Sequence, residues 1–396
     1  MSFKIENKIK NSLGRAGVLH TPHGDILTPA FVAVGTKATV KSLSPEQVKE
    51  TGSQVVLANT YHLYLEPGEK IIKSANGLHG FMNWHGPTMT DSGGFQAFSL
   101  GVAYGQGISK FIGADAPERG DLAEAYDDKK QKAAKITEDG VEFKSIIDGS
   151  THFFSPERSI QIQRDLGADI IFAFDECTSP HASKGYLREA MERTHRWAER
   201  SLMEFKNLGE ASQQLFGIVQ GGRYEDLRRE SAKEISSLDF DGFGIGGSFV
   251  KEDMSAAVRW VNEILPEEKP RHLLGVGEPV DMILGVENGC DTFDCVAATR
   301  MARNGSLYTR TGKINIMNAK YKNVFEPIEN ACGCYTCRNY TTAYLSHLFR
   351  AKEMFAATLA SIHNIYFLNK LMSDARESIL FGTFPEFKER FLREYQ

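Results

Sequence analysis

Three aspartates at the ends of short apolar segments could carry acid–base or nucleophilic chemistry: Asp91, Asp175 and Asp294. A pair of carboxylates supports displacement at an anomeric carbon, with one as nucleophile and the other as general acid or base, and this leaves a third to read a substrate. Aspartate after a strand also commonly caps the next helix or forms the turn. Each residue alone therefore has a purely structural interpretation.

Amides and glycines end the neighbouring apolar segments. Asn59 and Gln220 offer amide groups, and Gly246, Gly247 and the glycines of 275–277 expose backbone N–H groups. Aspartate could accept from N1–H and N2–H of a purine while glutamine or a peptide N–H donates to O6; the same groups could equally hold a sugar. Because seven of eight apolar segments end in this way, we favour one shared site.

The cysteines indicate a metal site. Cys332, Cys334 and Cys337 lie within six positions, and so many free thiols near a surface would be prone to oxidation. A fourth ligand would close a tetrahedral structural site, typical of zinc in a reducing cytoplasm. His347 and His363 both qualify as that ligand, and the spacing does not choose between them.

Positive charge is local in this chain. With 46 Lys and Arg against 51 Asp and Glu, the net charge is −5, which excludes a bulk positive field for nucleic acid. Residues 297–322, however, hold six basic residues and no acidic one: Arg300, Arg303, Arg310, Lys313, Lys320 and Lys322. This segment suits the phosphates of a nucleic acid, unless acidic residues from elsewhere pair with it.

The sequence pattern of the elements that must position these groups predicts an α/β fold. Eight short apolar segments alternate with amphipathic helical patterns, two of which begin with a Ser-Pro pair, at Ser44 and Ser155. This rhythm predicts a (β/α)8 TIM barrel, in which the carboxyl ends of all the strands meet at one active-site mouth. The segments lie at 31–36, 55–60, 87–93, 169–176, 215–221, 242–247, 272–277 and 291–296.

The remaining segments predict additions to that barrel. We assign 1–296 to the barrel, with an N-terminal hairpin turned at His23–Gly24 and an insertion, 101–139, after the third strand that is mobile or partly helical. Residues 297–362 form a zinc-binding subdomain, and 363–396 a C-terminal helix completing the barrel; we expect one long helix to hold both His347 and His363. The apolar stretch 354–368 is too short and too polar to span a bilayer, and no membrane partner is expected.

Six ordered motifs resemble the queuine tRNA-ribosyltransferases, or tRNA-guanine transglycosylases, and the bacterial branch most closely. They are Thr90–Gln96, Phe174–Thr178, Gly217–Gly221, Gly275–Gly277, Phe293–Cys295 and the cluster of Cys332, Cys334 and Cys337. The resemblance runs from about Gly14 to the C-terminus, apart from 101–139. It implies that guanine at the wobble position (34) of GUN-anticodon tRNAs (Asp, Asn, His, Tyr) is exchanged for a 7-deazaguanine in queuosine biosynthesis.

The resemblance also implies roles for individual residues. Asp294 would be the nucleophile that forms a covalent ester with ribose C1′, and Asp91 the general acid/base. The base-binding residues would be Asp175, Gln220, Gly246, Gly247, Ser92, Phe95, Leu274, Ser248, Glu252 and Asn59. The RNA-binding residues would be Gly275, Val276, Gly277, Glu278, Pro279, Val280, Asp281, Thr299, Arg300, Met301, Ala302 and Arg303. Structural zinc would be held by Cys332, Cys334, Cys337 and His363, in a cytoplasmic homodimer.

Two positions depart from the bacterial pattern. Position 95 is Phe where Tyr is usual, and Ser248 stands where Leu is common. Cys177, Val250 and Glu252 follow the bacterial pattern, which favours preQ1 as the incoming base, with queuine as the alternative.

Two other classes of function compete with base exchange. A non-catalytic paralogue that only grips tRNA would need neither Asp91 nor Asp294, so the presence of both disfavours it. A barrel glycosidase acting on small glycosides would leave the basic segment and the cysteine cluster without a role. We therefore favour the enzyme.

Overall fold

A closed barrel of eight parallel strands forms the centre of the protein. The computed structural model describes residues 2–97, 134–180, 182–247 and 252–395. The barrel strands, in spatial order, are β4 (Ala30–Val34), β5 (Val56–Ala58), β6 (Thr88–Thr90), β10 (Ile170–Phe172), β11 (Gln214–Val219), β12 (Gly242–Ile245), β13 (Arg271–Leu273) and β14 (Thr292–Asp294). Pairing of Phe293 with Phe31 closes the ring. The predicted TIM barrel is confirmed, and each of the eight apolar segments overlaps one of its strands.

Helices cover the outside of this barrel. Ser44 and Ser155 cap the helices that follow them, each accepting from a backbone N–H three residues on, as the Ser-Pro pairs predict. The helices of the described residues are Pro45–Glu50, Thr60–Leu65, Glu69–Ser74, Gly77–Met82, Pro156–Leu166, Lys184–Asn207, Glu225–Ser237, Met254–Asn262, Pro279–Glu287, Ala297–Arg303, Tyr335–Asn339, Thr342–Ala351, Met354–Leu380 and Phe384–Glu394, with a 3-10 turn at Ala319–Tyr321.

The N-terminal hairpin belongs to a three-stranded antiparallel sheet that covers the amino ends of the barrel strands. The sheet contains β1 (Phe3–Lys8), β2 (Arg15–Thr21) and β3 (Gly24–Thr28). Thr21 pairs with Gly24, so the turn lies at Pro22–His23, one residue before the predicted position. Leu19 and Ile26 of this sheet join the apolar cluster inside the barrel, together with barrel residues such as Phe172 and Phe216.

A second small sheet follows the third barrel strand. It pairs β7 (Ala134–Ile136), β8 (Val141–Lys144) and β9 (Thr151–Phe154) in antiparallel order. The end of the predicted insertion, 134–139, thus contains a strand, whereas 101–133 lies outside the described residues. Phe143 and Phe154 are buried, and their ring centroids lie 5.0 Å apart.

The C-terminal region differs from the single long helix expected there. His347 lies on the helix Thr342–Ala351 and His363 on the helix Met354–Leu380. The first helix ends at Lys352, whose backbone is in the left-handed conformation with φ at 59°. The longer helix crosses the predicted boundary at 362/363 and contacts β1, β2 and β4 as well as the helix Ala297–Arg303. A short hairpin of β15 (Ser306–Thr309) and β16 (Gly312–Asn315) precedes the cysteines. No helix of the described ranges is long and apolar enough to cross a membrane.

A buried carboxylate fastens the N-terminal hairpin to the barrel. Asp169, just before β10, accepts from His23 Nδ1 at 2.6 Å, His79 Nε2 at 3.1 Å and the Thr88 backbone N–H at 2.7 Å. The two imidazole rings stack with centroids 3.5 Å apart. Burial alone would raise the pKa of Asp169, but the bonds from His79, His23 and Thr88 outweigh burial and lower that pKa below its ordinary value.

We expect Asp169→Asn to lower the free energy of unfolding by about 1–3 kcal/mol at pH 7, because it weakens charge-assisted bonds in a buried site. Since the folded-state pKa is lowered, this contribution is complete above the ordinary aspartate pKa of about 3.9 and disappears as the pH falls through the folded value. Urea unfolding at pH 7 and at pH 3 measures both effects. The control is Asp25→Asn, which changes an exposed carboxylate paired with His20 on the same hairpin. Equal stability of the two variants at pH 7 would contradict the fastening role.

Candidate active site and metal centre

The carboxyl ends of the barrel strands surround a small cavity. All three aspartates singled out in the sequence line it. Among the residues that the structure describes, the lining is formed by Leu57, Asp91, Ser92, Gly93, Phe95, Gln96, Phe172, Asp175, Cys177, Ile218, Gly246, Gly247, Leu274 and Asp294. The structure thus brings Asp91, Asp175 and Asp294 to one place, whereas Gln220, also expected to read the base, is buried and is not among the lining residues.

Asp91 follows β6 and is held from the end of the neighbouring strand β5. Its Oδ1 accepts from the Thr60 backbone N–H at 2.9 Å, and its Oδ2 accepts from Asn59 Nδ2. Asn59 Oδ1 in turn accepts from the His62 N–H and caps the helix Thr60–Leu65. Asn59, expected to contact the base, is therefore buried behind Asp91 and does not line the cavity.

Asp175 follows β10 and receives donors from both flanking strands. Ser92 Oγ donates to Oδ1 at 2.9 Å, and Gln220 Nε2 donates to Oδ2 at 2.7 Å. All three side chains are buried. These two donors orient a carboxylate that lines the cavity.

The chain at Gly246 and Gly247 has no room for side chains. A Cβ at Gly246 would lie 2.7 Å from Gln220 Nε2, and one at Gly247, where φ is +104°, would lie 2.6 Å from Arg228 Nη2. The peptide backbone can therefore border the cavity directly at the end of β12.

Arg228 supports this backbone and was missed by the sequence reasoning. It is fully buried and donates to the carbonyls of Gly246 at 2.8 Å and Gly222 at 2.7 Å. Burial lowers the pKa of Arg228 to about 9. A signal existed: Arg228 shares the buried face of its helix with Ser231, Ala232 and Ile235, at helical spacing.

Asp294 ends β14, and its side chain is 14% exposed. Its Oδ1 accepts from the Gly275 N–H at 2.7 Å and contacts His272 Nε2 at 3.1 Å. His272 is fully buried on β13, behind the cavity wall. The sequence reasoning placed it at the start of an apolar segment and missed its contact with Asp294.

The remaining expected base-binding residues divide into two groups. Phe95 and Leu274 line the cavity, with Phe172 as a further aromatic wall. Glu252 is exposed and does not line the cavity, and Ser248 lies outside the described residues.

The expected RNA-binding segments are only partly exposed. In 275–281 and 299–303, Arg300 is exposed and Arg303 is half-buried, whereas several side chains are buried: Val276, Asp281, Thr299 and Ala302. Two basic residues further along the chain are paired, Lys313 with Glu278 at 2.5 Å and Arg310 with Glu394 at 3.6 Å. Arg300 and Arg303 form no ion pair with any residue that the structure describes.

The three cysteines converge with His363 on a four-atom cluster that could hold a metal ion. The His363 Nδ1 lies 3.9, 3.6 and 3.4 Å from the Sγ atoms of Cys332, Cys334 and Cys337. An ion about 2.3 Å from each sulfur and about 2.1 Å from nitrogen, at tetrahedral angles, requires separations of about 3.6 Å, so the donor set fits.

Hydrogen bonding fixes the ligand atom of that histidine. His363 Nε2 lies 2.7 Å from the Tyr308 carbonyl and donates to it, which leaves Nδ1 to face the sulfurs. The competing histidine, His347, is exposed and stands outside the cluster.

Comparison with known proteins agrees with this geometry. The family profile described as Queuine tRNA-ribosyltransferase matches residues 10–396. Proteins named queuine tRNA-ribosyltransferase from Thermoanaerobacter pseudethanolicus and Fusobacterium nucleatum are 49% and 46% identical to this chain, each covering 100% of it and 98% of the relative. The protein of that name from Lactococcus lactis is 46% identical over 100% of this chain and 96% of its own length. Since the match spans the barrel, the cavity and the cysteine cluster together, the chain belongs to the queuine tRNA-ribosyltransferase family.

Proposed function

We propose that this protein is a tRNA-guanine transglycosylase, which exchanges guanine at wobble position 34 of GUN-anticodon tRNAs for a 7-deazaguanine during queuosine biosynthesis. The observation that carries the proposal is the shared cavity of Asp91 and Asp294, with the base-reading pair Asp175 and Gln220 beside them. Family membership supports the same reaction.

The reaction follows from two carboxylates with different roles. Asp294 attacks ribose C1′, the bond from C1′ to guanine breaks, and Asp91 as general acid protonates the leaving base. Asp91 then removes a proton from the incoming base, whose nitrogen attacks C1′ and returns the electron pair to Asp294. Two displacements at C1′ retain the anomeric configuration. One glycosidic bond replaces another, so the exchange is near thermoneutral and needs no ATP.

Base recognition uses the polar groups between these carboxylates. Asp175 accepts from N1–H and the exocyclic amine, and Gln220 with the N–H groups of Gly246 and Gly247 donates to the carbonyl oxygen. The ring lies between Phe95 and Leu274. We propose preQ1 as the incoming base, its aminomethyl group meeting Glu252 and the Ser248 carbonyl, with queuine as the alternative.

The anticodon stem-loop of the tRNA lies against 275–281 and 299–303. Arg300 and Arg303 follow Asp294 by less than three helical turns and contact the phosphates around nucleotide 34. The buried members of these segments support the backbone and do not touch RNA directly.

Zinc is the metal we assign to the cysteine cluster. Three thiolates and one imidazole are the donor set that tetrahedral zinc prefers, and four protein ligands leave no position for a substrate or water. The ion would therefore be structural, one per chain, and no step of the exchange passes through it.

We also propose a cytoplasmic homodimer. A tRNA substrate and reduced cysteines are consistent with the cytoplasm. An aromatic group next to the metal cluster, formed by Tyr335, Tyr340, Tyr344 and Phe355, is partly exposed and suits a second copy of the chain.

We expect the wild-type protein to incorporate radiolabelled guanine into a GUN-anticodon tRNA and to form an RNA–protein adduct on denaturing gels. Asp294→Asn should abolish both, and Asp91→Asn should slow incorporation about 10²- to 10⁴-fold, because it removes the general acid/base. Asp239→Asn, at an exposed carboxylate paired with Lys206, is the control. Unchanged incorporation by Asp294→Asn would contradict the nucleophile role, and competition among preQ1, queuine and guanine identifies the incoming base.

The double variant Arg300→Ala/Arg303→Ala should raise the KM for tRNA about tenfold or more while kcat changes little, because phosphate contacts mainly supply binding. The slope of log affinity against log salt concentration should become shallower by about 1.4 to 1.8, because two phosphate contacts are lost. Lys206→Ala, an exposed lysine near the end of the helix Lys184–Asn207, should alter neither quantity. Identical salt slopes for the wild type and the double variant would place the RNA elsewhere.

Purified protein should contain about one zinc ion per chain, measured by inductively coupled plasma mass spectrometry. His363→Gln and Cys334→Ser should each lose the ion and lower the melting temperature, since ligand loss uncouples the cysteine segment from the helix Met354–Leu380. His347→Gln is the matched histidine control and should retain the ion. Full stability of the wild type after complete zinc removal would refute the structural role.

A further inference from the structure

A hydrogen-bonded chain of two side chains ends on the carboxylate of Asp294. His272 Nδ1 lies 2.8 Å from Thr292 Oγ1, and His272 Nε2 lies 3.1 Å from Asp294 Oδ1. Thr292 and His272 are both buried and are register partners on the adjacent strands β13 and β14. The barrel itself therefore fixes the position of the imidazole relative to the carboxylate.

The direction of these bonds follows from the acceptor. An ionised carboxylate can only accept, so Nε2 of His272 must carry the proton and donate to Asp294 Oδ1. In the neutral ring, Nδ1 then accepts from the hydroxyl of Thr292, which selects this tautomer. The Phe172 ring, 5.3 Å from the imidazole between centroids, packs against it inside the barrel.

Two donors meet on one oxygen of the carboxylate. The Gly275 N–H lies 2.7 Å from Asp294 Oδ1, the same atom that His272 reaches. A backbone donor and a buried ring donor on one oxygen restrict rotation of the carboxylate. The carboxylate of Asp294 loses its negative charge when the ester forms and regains it when the ester breaks, and both donors lie beside the oxygen that carries this charge.

We infer that His272 is a positioning residue for the base exchange: it orients Asp294 and stabilises the carboxylate that is released when the covalent intermediate breaks down. This inference rests on the proposed function, in which Asp294 forms the ester. His272 does not line the cavity, so it acts through Asp294 and not on the substrate.

The step that depends most on this donor is the second displacement. The nitrogen of the incoming base forms its bond to C1′, the bond from C1′ to the Asp294 oxygen breaks, and the electron pair returns to the carboxylate. Asp91 takes the proton of the incoming base, and His272 keeps its own proton throughout. Loss of the His272 donor makes Asp294 a poorer leaving group, so the intermediate should persist longer.

The test compares His272→Leu, which removes the donor, with His272→Gln, whose amide can still donate toward Asp294. Wild type and both variants are assayed for kcat per active site, KM for tRNA and the steady-state fraction of enzyme held as RNA adduct. We expect His272→Leu to lose about 10- to 100-fold in kcat and its adduct fraction to rise, while the KM for tRNA falls together with kcat, because a slower second displacement makes the covalent intermediate accumulate. His272→Gln should recover most of kcat. Thr292→Val should shift both quantities in the same direction as His272→Leu, but less.

The outcomes separate this role from others. His347→Gln, at an exposed histidine outside the site, controls for substitution of histidine and should behave as wild type. Wild-type kcat and adduct fraction in His272→Leu would overturn the inference, as would His272→Gln being as defective as His272→Leu. A His272→Leu protein that only unfolds more easily would show fewer active sites with normal turnover per site, which would also overturn it. If the wild type itself forms no adduct, the proposed function fails together with the inference.

Discussion

Three carboxylates border one small cavity, and each needs hydrogen-bond donors to replace the water it has lost. The barrel supplies these donors from neighbouring strands. Asp91 after β6 is held by Asn59 and Thr60 at the end of β5, and Asp294 on β14 is held from β13 and the residues that follow it. Asp175 after β10 is held from both sides, by Ser92 after β6 and Gln220 after β11. The strand register of the closed barrel thus determines which donor meets which carboxylate.

Hydrogen bonds also connect the cysteine cluster to the helix that follows Asp294. Asn364, next to His363, donates to the carbonyls of Ala298 at 3.1 Å and Ser306 at 3.0 Å. His363 itself donates to the Tyr308 carbonyl. The helix Met354–Leu380 therefore ties the cysteine cluster to the helix Ala297–Arg303, which follows Asp294 and holds Arg300 and Arg303. An ion in the cluster would stabilise the surface on which we place the tRNA.

The sequence predicts the carboxylates of the site better than it predicts what holds them. Asp91, Asp175 and Asp294 can be found because parallel strands are apolar runs and their ends converge. The contact of His272 with Asp294 depends on the pairing of β13 with β14, and the position of Asn59 behind Asp91 depends on the pairing of β5 with β6. Neither register is visible in a single sequence. Arg228 is the exception among these supporting residues, because a charged residue at a position of the buried helix face can be recognised in the local sequence.

Errors in the predicted elements have the same origin. Nothing in the sequence around Lys352 marks a helix end, because a lysine in the left-handed region carries no glycine signal; the break appears only where packing requires it. The hairpin turn was misplaced by one residue because Gly24 is the usual turn residue, yet it pairs with Thr21 in the ladder. The local sequence thus predicts correctly that a turn is present, whereas the pairing of β2 with β3 determines its position.

The two ends of β10 show how charge is used differently for stability and for chemistry. Asp169 at the amino end accepts from two histidines and a backbone N–H. These bonds lower the pKa of Asp169 and so stabilise its ionised form. Asp175 at the carboxyl end accepts from the hydroxyl of Ser92 and the amide of Gln220, which are neutral and equivalent to the N–H donors of a purine. In the exchange that we propose, the N–H groups of an incoming nucleobase take the place of the Gln220 amide at Asp175, and the amide then donates to the carbonyl of that nucleobase. The bonds to Asp169 therefore serve the stability of the fold, whereas the donors of Asp175 suit a carboxylate that must change partners during the exchange that we propose.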